Sequence, residues 1–371
     1  MNFSNTKPQT AVAAVDADGN CDYELYISAG GVTAVLSGVG FQLAACLAGI
    51  RKWKRVHGVS GGSIIASVAA CGHTPQTLLH LALNLQFGEY VNVKEGALCA
   101  PYYNPLSFTR PAGYNDPDWR ECPWYGLMGT HGVGECIVGY AEQMGMKEAW
   151  PKDFTTMATT RYGDPVVFHE KGVFMVRDGK EIVLSDKPAP LPLAVRASCT
   201  IGGVMVPLTY QGNVLFDGGL SRDGFCPVGI PIRHLGSNPK KMIAVRVNEV
   251  HPTTFIGRVH RAVRWLWWVQ PDFHWGPETA GVIEIHPPIQ HVATLSFGIS
   301  RDEKWLAILL AFQESLQALA LAGLLHGEAL ERAQSLMHDL GYWRDFLPGG
   351  VGRVQRLSAK AENVFASYGL Y

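Results

Sequence analysis

The chain has 371 residues, 47% hydrophobic and 17% charged, with a formal net charge of −1. This is a globular composition with apolar material for a large core, and its charge balance points to neither nucleic acid nor an anionic membrane as an obligatory partner; local patches decide such contacts. Eight cysteines are scattered without a CxxC pair or a Cys/His metal spacing, which reads as reduced thiols in a cytosolic protein and leaves no expectation of a metal site.

In chain order, residues 1–20 are polar and lack the basic and apolar regions of a secretory signal, so a flexible N-terminus and cytoplasmic residence are expected. Residues 21–371 read as a single domain, with no linker or repeat dividing them. Cys21 to Ser28 alternates and reads as a strand, broken by Gly30-Gly31. Thr33 to Gly49 reads as a helix apolar on nearly every face, Lys54 to Val59 as a second strand, and Ser63 to Cys71 as a buried helix. Strand, glycine turn, helix, repeated twice, is the rhythm of a parallel sheet covered by helices. Residues 88–134, rich in Pro, Tyr, Trp and Gly, read as an excursion forming a lid or substrate wall. Pro165 to Val176 and Glu181 to Leu184 read as strands joined at Asp178-Gly179. Leu193 to Cys199 reads as a short helix, and Val214 to Phe216 as a strand ending at Asp217. Lys241 to Val247 is another buried strand, and residues 302–340 form the longest helical pattern of a helical C-terminal part, 302–371.

Three places in this order carry chemistry. Gly58-Val59-Ser60-Gly61-Gly62 is a GxSxG sequence between a strand and a helix; a serine on so tight a turn projects its hydroxyl into open space, and the helix N-terminus behind it favours developing negative charge. A serine hydroxyl needs a base. Asp217, closing a short apolar strand before Gly218-Gly219, is the candidate, with Asp223 as its competitor and a plain Asp-Gly turn as the ordinary alternative. Gly30-Gly31 follows the first strand, where backbone N–H groups turned inward would stabilise an oxyanion.

Taken together, these motifs resemble the patatin-like phospholipases, over about residues 24–230. The approach to the aspartate, RASCTIGGVMVPLTYQGNVLFDGG, is similar to that family's as well. The resemblance implies an α/β fold, a three-layer α/β/α core with a mainly parallel central sheet. It also implies a Ser60–Asp217 dyad without a catalytic histidine, and an oxyanion hole from Gly30, Gly31, Val32 and Gly61, with Gly58, Gly62, Gly218 and Gly219 as motif glycines. The implied activity is that of a serine-dependent lipid acyl hydrolase of phospholipase A or carboxylesterase type, acting on a lipid or ester without a cofactor. The sequence departs from the family in having Val32-Thr33-Ala34 where many members carry Arg or Lys, and no proline at Ile201-Gly202-Gly203.

Rival readings remain open at this stage. An α/β-hydrolase triad would draw its histidine from His251, His274, His286 or His291, although that fold normally places several strands before its serine. A non-catalytic lipid-binding protein of the same fold is the other. The uncharged run Ile27 to Ile50 has the length of a membrane span, but a strand end, a glycine turn and a buried helix account for it. The segment from Arg258 to Val269, with Arg258, Arg261 and Arg264 beside Trp265, Trp267 and Trp268, suggests transient contact with a membrane interface, and so peripheral association.

Overall fold

The structure, a computed structural model, describes residues 15–86, 119–121, 129–146, 150–202, 204–247, 275–292, 296, 298–341 and 357–371. Residues 1–14, most of 88–134 and the Arg/Trp segment at 258–269 lie outside them.

The first two sequence units fold as their rhythm dictates. Strand β1 (Asn20–Ile27) leads through Gly30 into helix α1 (Gly31–Leu47), and β2 (Lys52–Val59) leads through Ser60 into α2 (Gly61–Ala70). The other strands described are β3 (Trp119–Glu121), β4 (Phe154–Thr160), β5 (Pro165–His169), β6 (Gly172–Arg177), β7 (Lys180–Ser185), β8 (Leu208–Tyr210), β9 (Asn213–Asp217), β10 (Met242–Val245) and β11 (Ile283–Ile285). All belong to one sheet. Its parallel part runs in the order β11-β10-β1-β2-β4, and beyond β4 the pairing is antiparallel, through β5, β6 and β7 on one side and β9, β8 and β3 on the other. The α/β class is as expected; the sheet as a whole is mixed, with its parallel strands forming the part that leads into the glycine turns.

Strand alternation sorts the core into two faces. Leu25 and Ile27 of β1, Val56 of β2 and Phe154 of β4 join α1 and α2 in one cluster. Tyr26, Val59 and Met157 pack on the other face against Val228 and Ile230, which flank or belong to the short helix α6 (Gly229–His234). The remaining helices are α3 (Pro75–Asn84), α4 (His131–Gln143), α5 (Leu191–Ser198), α7 (Arg301–Leu321), α8 (Gly327–Leu340) and α9 (Leu357–Ser367).

Helix α1 accounts for the uncharged opening stretch. Fifteen of its residues, Val32 to Ala45 and Leu47, are buried, because the sheet lies on one side and α2, α3 and α7 surround the rest. Each fully buried Leu, Val or Phe there contributes about 1.5–3 kcal/mol. Of its buried polar side-chain atoms, Thr33 Oγ1 donates to the Val292 carbonyl at 3.2 Å and Gln42 Oε1 accepts from Trp53 Nε1 at 3.2 Å, while Ser37 Oγ and Gln42 Nε2 meet no partner among the described residues. Among the described residues no helix is long and apolar enough to cross a membrane.

Two long patterns divide where the sequence reads them as continuous. Pro165 to Val176 is the hairpin β5–β6, turning at Glu170-Lys171 because the register pairs His169 with Gly172. The pattern at 302–340 splits into α7 and α8, with Gly323 at φ 71° after the end of α7. Helix α7 opens on a capping box from Ser300 and Glu303, and α9 is fixed to it by Glu362, which accepts from Arg301 Nε at 2.7 Å and Trp305 Nε1 at 3.1 Å.

Helices α1 and α7 approach closely at Gly40, where a Cβ would lie 2.5 Å from the Ile308 carbonyl oxygen and 2.8 Å from the Phe312 nitrogen. Backbone atoms cannot swing aside, so Gly40→Ala pushes the two helices apart. Urea denaturation of this variant should show a loss of about 1–3 kcal/mol, and an unchanged midpoint would contradict the packing.

Candidate active site

The site is assembled by a difference in strand length. Val56 to Val59 of β2 pair with Phe154 to Met157 of β4, and there β2 stops. The far edge of β4 is occupied by β5 as far as Thr159. Ala158, Thr159 and Thr160 therefore use the edge vacated by β2, pairing antiparallel with Asp217, Phe216 and Leu215 of β9. Two strands of opposite direction thus end beside each other at consecutive residues of β4, and the residues at their ends are Ser60 and Asp217.

Ser60 lies between β2 and α2 at φ 54°, ψ −133°. A non-glycine residue with positive φ is uncommon and costs of order 1–3 kcal/mol unless its surroundings fix it. They do so here. The Ser60 N–H donates to Ser198 Oγ at 2.9 Å, and Ser198 Oγ donates to the Met157 carbonyl at 2.5 Å. The Ser60 carbonyl accepts from Ser63 N at 2.8 Å, from Ser63 Oγ at 2.6 Å and from Cys199 Sγ at 3.2 Å. Ser198 and Cys199 close α5. The sequence marks this region only as a short helix ending at Cys199, since a hydroxyl acting on another residue's backbone has no linear signature.

The Ser60 hydroxyl donates to Asp217 Oδ2 at 2.5 Å, and Asp217 Oδ1 accepts from Gly219 N at 2.8 Å. Both residues are buried, Ser60 3% and Asp217 4% exposed. Burial pushes the Asp217 carboxyl up to about 7, against the opposing pull of its hydrogen bonds from Ser60 and Gly219. Its main-chain N–H is held by the Thr200 carbonyl at 2.6 Å.

The motif glycines are positions of close approach. Gly30 has φ 148°, and a Cβ on it would stand 2.1 Å from Val247 Cγ2. A Cβ on Gly61 would stand 2.1 Å from the Gly31 carbonyl oxygen, so the N-termini of α1 and α2 touch. Gly62 abuts the Ile27 and Ser28 carbonyls, Gly58 abuts Ala66 and Ser63, Gly218 abuts the Met157 carbonyl and Gly219 abuts Ala29. Val32 is buried in the first turn of α1. The first N–H groups of a helix have no partner within it and carry the positive end of its dipole. Gly30, Gly31, Val32 and Gly61 therefore lie where two such ends meet, beside Ser60. The loop before α1 is tied down by Ser28 N to the Val245 carbonyl and by Ala29 N to the Phe225 carbonyl, at 3.0 and 2.9 Å.

Among the described residues the competing groups are engaged elsewhere. Asp223 Oδ1 accepts from Arg233 at 2.8 Å. His286 pairs with Glu284 at 2.5 Å, and His291 Nε2 meets the Glu303 carbonyl at 3.1 Å; His251 and His274 lie outside the described residues. His57, three residues before Ser60, faces Glu24 at 3.1 Å and stacks on Tyr26; burial lowers its pKa and favours the neutral ring. Among the described residues no group of three or more His, Cys, Asp or Glu is placed to hold a metal ion.

The raised Asp217 value makes stability depend on pH. Between about pH 4, the ordinary carboxylate value, and about pH 7, the native state holds a proton that the unfolded chain has lost. Stability therefore falls as pH rises through this window. Asp217→Asn removes that slope, so its Tm should exceed that of the unaltered chain at pH 8 and match it near pH 4. A constant difference at both pH values would remove the burial argument.

The family model described as patatin-like phospholipase matches residues 25–230, more than half of the 371. No curated protein matches the chain. Among solved structures, VipD from Legionella pneumophila is 12% identical with a TM-score of 0.40, the alignment covering 93% of this chain and 80% of that one. The type III effector protein ExoU is 12% identical with a TM-score of 0.38, covering 94% of this chain and 62% of that one.

Proposed function

Since the chain belongs to the patatin-like phospholipase family, we propose that it is a serine-dependent lipid acyl hydrolase working through a Ser60–Asp217 dyad. The observation that carries this reading is the 2.5 Å hydrogen bond from Ser60 Oγ to Asp217 Oδ2, buried at the meeting of two strand ends. Asp217 accepts the hydroxyl proton as Ser60 attacks an ester carbonyl. A carboxylate whose pKa lies near 7 is a far better base than an ordinary one and still ionises at neutral pH. N–H groups of Gly30, Gly31, Val32 and Gly61 hold the tetrahedral oxyanion, since both helix N-termini open there. The proton passes to the leaving alcohol, and water, deprotonated by the same aspartate, releases the fatty acid from the acyl-enzyme. No histidine and no cofactor enters this sequence of steps. Cytoplasmic residence with peripheral membrane contact fits a lipid substrate.

A fluorophosphonate probe tests the nucleophile: it should label the native chain and leave Ser60→Ala unlabelled, and labelling of that variant would sink the assignment. With a water-soluble short-chain ester, Asp217→Asn should lose at least a thousandfold in kcat/KM. For the unaltered enzyme, kcat/KM should rise tenfold per pH unit below about 7 and level off above it, because only the ionised carboxylate accepts the proton. A flat profile from pH 5 to 8 would exclude Asp217 as the base.

A further inference from the structure

Ser60 and Asp217 do not account for the charge gathered at their end of the sheet. The rung pairing Thr160 with Leu215 lies two residues past the rung pairing Ala158 with Asp217, a rise of about 7 Å. The turn following β4, Arg161-Tyr162-Gly163-Asp164, therefore stands above the catalytic residues. Arg161 and Tyr162 are exposed, Tyr162 to 52%. The Arg161 guanidinium lies over the Tyr162 ring at 4.6 Å and donates to its hydroxyl at 2.5 Å. Arg222, on the loop that follows Asp217, is exposed as well. It is locked to this turn through its N–H to the Gly163 carbonyl at 3.0 Å and its Nε to the Tyr162 carbonyl at 3.1 Å.

Neither guanidinium meets a carboxylate among the described residues. The acids of the same loops are already bound: Asp164, buried, accepts from Arg177 Nε at 2.8 Å, and Asp223 accepts from Arg233, which also holds Glu278 of a separate turn. The loop from Gly30 to Ala34 carries no cation, whereas Arg161 and Arg222 place two guanidiniums on the turn beyond Ser60 and Asp217. A half-exposed tyrosine under one guanidinium and joined to a second through its main-chain carbonyl, neither facing a carboxylate among the described residues, has the chemistry of an interfacial contact: planar forks for phosphate oxygens, and an aromatic ring suited to the headgroup boundary.

We propose that Arg161, Tyr162 and Arg222 form the surface with which the enzyme docks on an anionic phospholipid bilayer, bringing ester groups to Ser60. This inference rests on the lipid acyl hydrolase reading and supplies its partner. Electrostatic attraction of this kind is worth enough per arginine that losing both should weaken docking by on the order of 30-fold at moderate salt.

Flotation with phosphatidylcholine vesicles, with and without an equal share of phosphatidylglycerol, tests the proposal. The native chain should float with the anionic vesicles and much less with the neutral ones. Arg161→Gln combined with Arg222→Gln should weaken the anionic interaction by on the order of 30-fold, and Tyr162→Ala should weaken it further. The double variant should keep native fluorophosphonate labelling and native turnover of a water-soluble ester, which shows that the fold and the site are intact. Equal flotation of the native chain and the double variant, or no preference of the native chain for anionic vesicles, overturns the docking surface. Loss of flotation in the double variant, in a chain whose native form hydrolyses no ester, would leave the surface standing and remove the activity instead.

Discussion

Strand β4 outlasts β2 by three residues, and the site depends on that excess. An edge left open by one strand must be paired, covered or exposed to water, because its N–H and C=O groups are obligatory hydrogen-bonding groups. Here β9 pairs it from the opposite direction. Strands approaching one edge head to head must both stop, and a strand's last residue is where the chain can turn and present a side chain outward. Ser60 and Asp217 therefore meet without either being carried on a long loop. Burial follows from the same arrangement, since the meeting point lies inside the sheet and under α5. A carboxyl pushed up to about 7 is thus a consequence of where β9 ends.

The strained backbone at Ser60 requires support, and the supporting groups are anchored in β4. The Met157 carbonyl accepts from Ser198, which in turn holds the Ser60 N–H, and that same carbonyl lies against Gly218. One peptide group of β4 thereby fixes the serine and the glycine after the aspartate relative to each other. Net hydrogen-bond contributions of about 0.5–1.5 kcal/mol each, from the bonds around the Ser60 peptide, are of the size needed to offset about 1–3 kcal/mol of strain.

Sequence exposes the parts of this arrangement that glycine and periodicity mark. The strand, turn and helix around Gly30, the same unit around Ser60 and the strand ending at Asp217 are all legible because close backbone approach demands glycine there. Strand β4 is not legible, although everything pivots on it. Four of its seven residues, Thr155, Thr156, Thr159 and Thr160, are threonines whose hydroxyls read as polar, yet all four are buried. Their β-branched bodies favour a strand, a preference that a hydrophobic count does not register. Ser198 escapes notice for a related reason: its role lies in two bonds to main chain 138 and 41 residues away in sequence. The uncharged run at 27–50 misleads in the opposite sense, since length and hydropathy alone do not distinguish a helix surrounded by lipid from one surrounded by protein. Gly40, which admits α7 to van der Waals contact, is the residue in that run that marks a protein neighbour.

The three extra residues of β4 have a second effect. A strand that continues past its neighbour carries its terminal turn outward by the same distance, so the pairing that brings Asp217 to Ser60 also raises Arg161 and Tyr162 above them. Arg222 follows Asp217 closely enough in sequence that its main chain reaches this turn and bonds to it. The buried carboxylate of Asp217 and the proposed docking surface are in this way held on one rigid element and its bonded partner. Catalysis needs a dry, buried carboxylate, whereas docking needs charges that remain in water until a headgroup replaces it. A strand running from the core into solvent meets both demands within a few residues, which is why a single length difference in the sheet is sufficient to set them side by side.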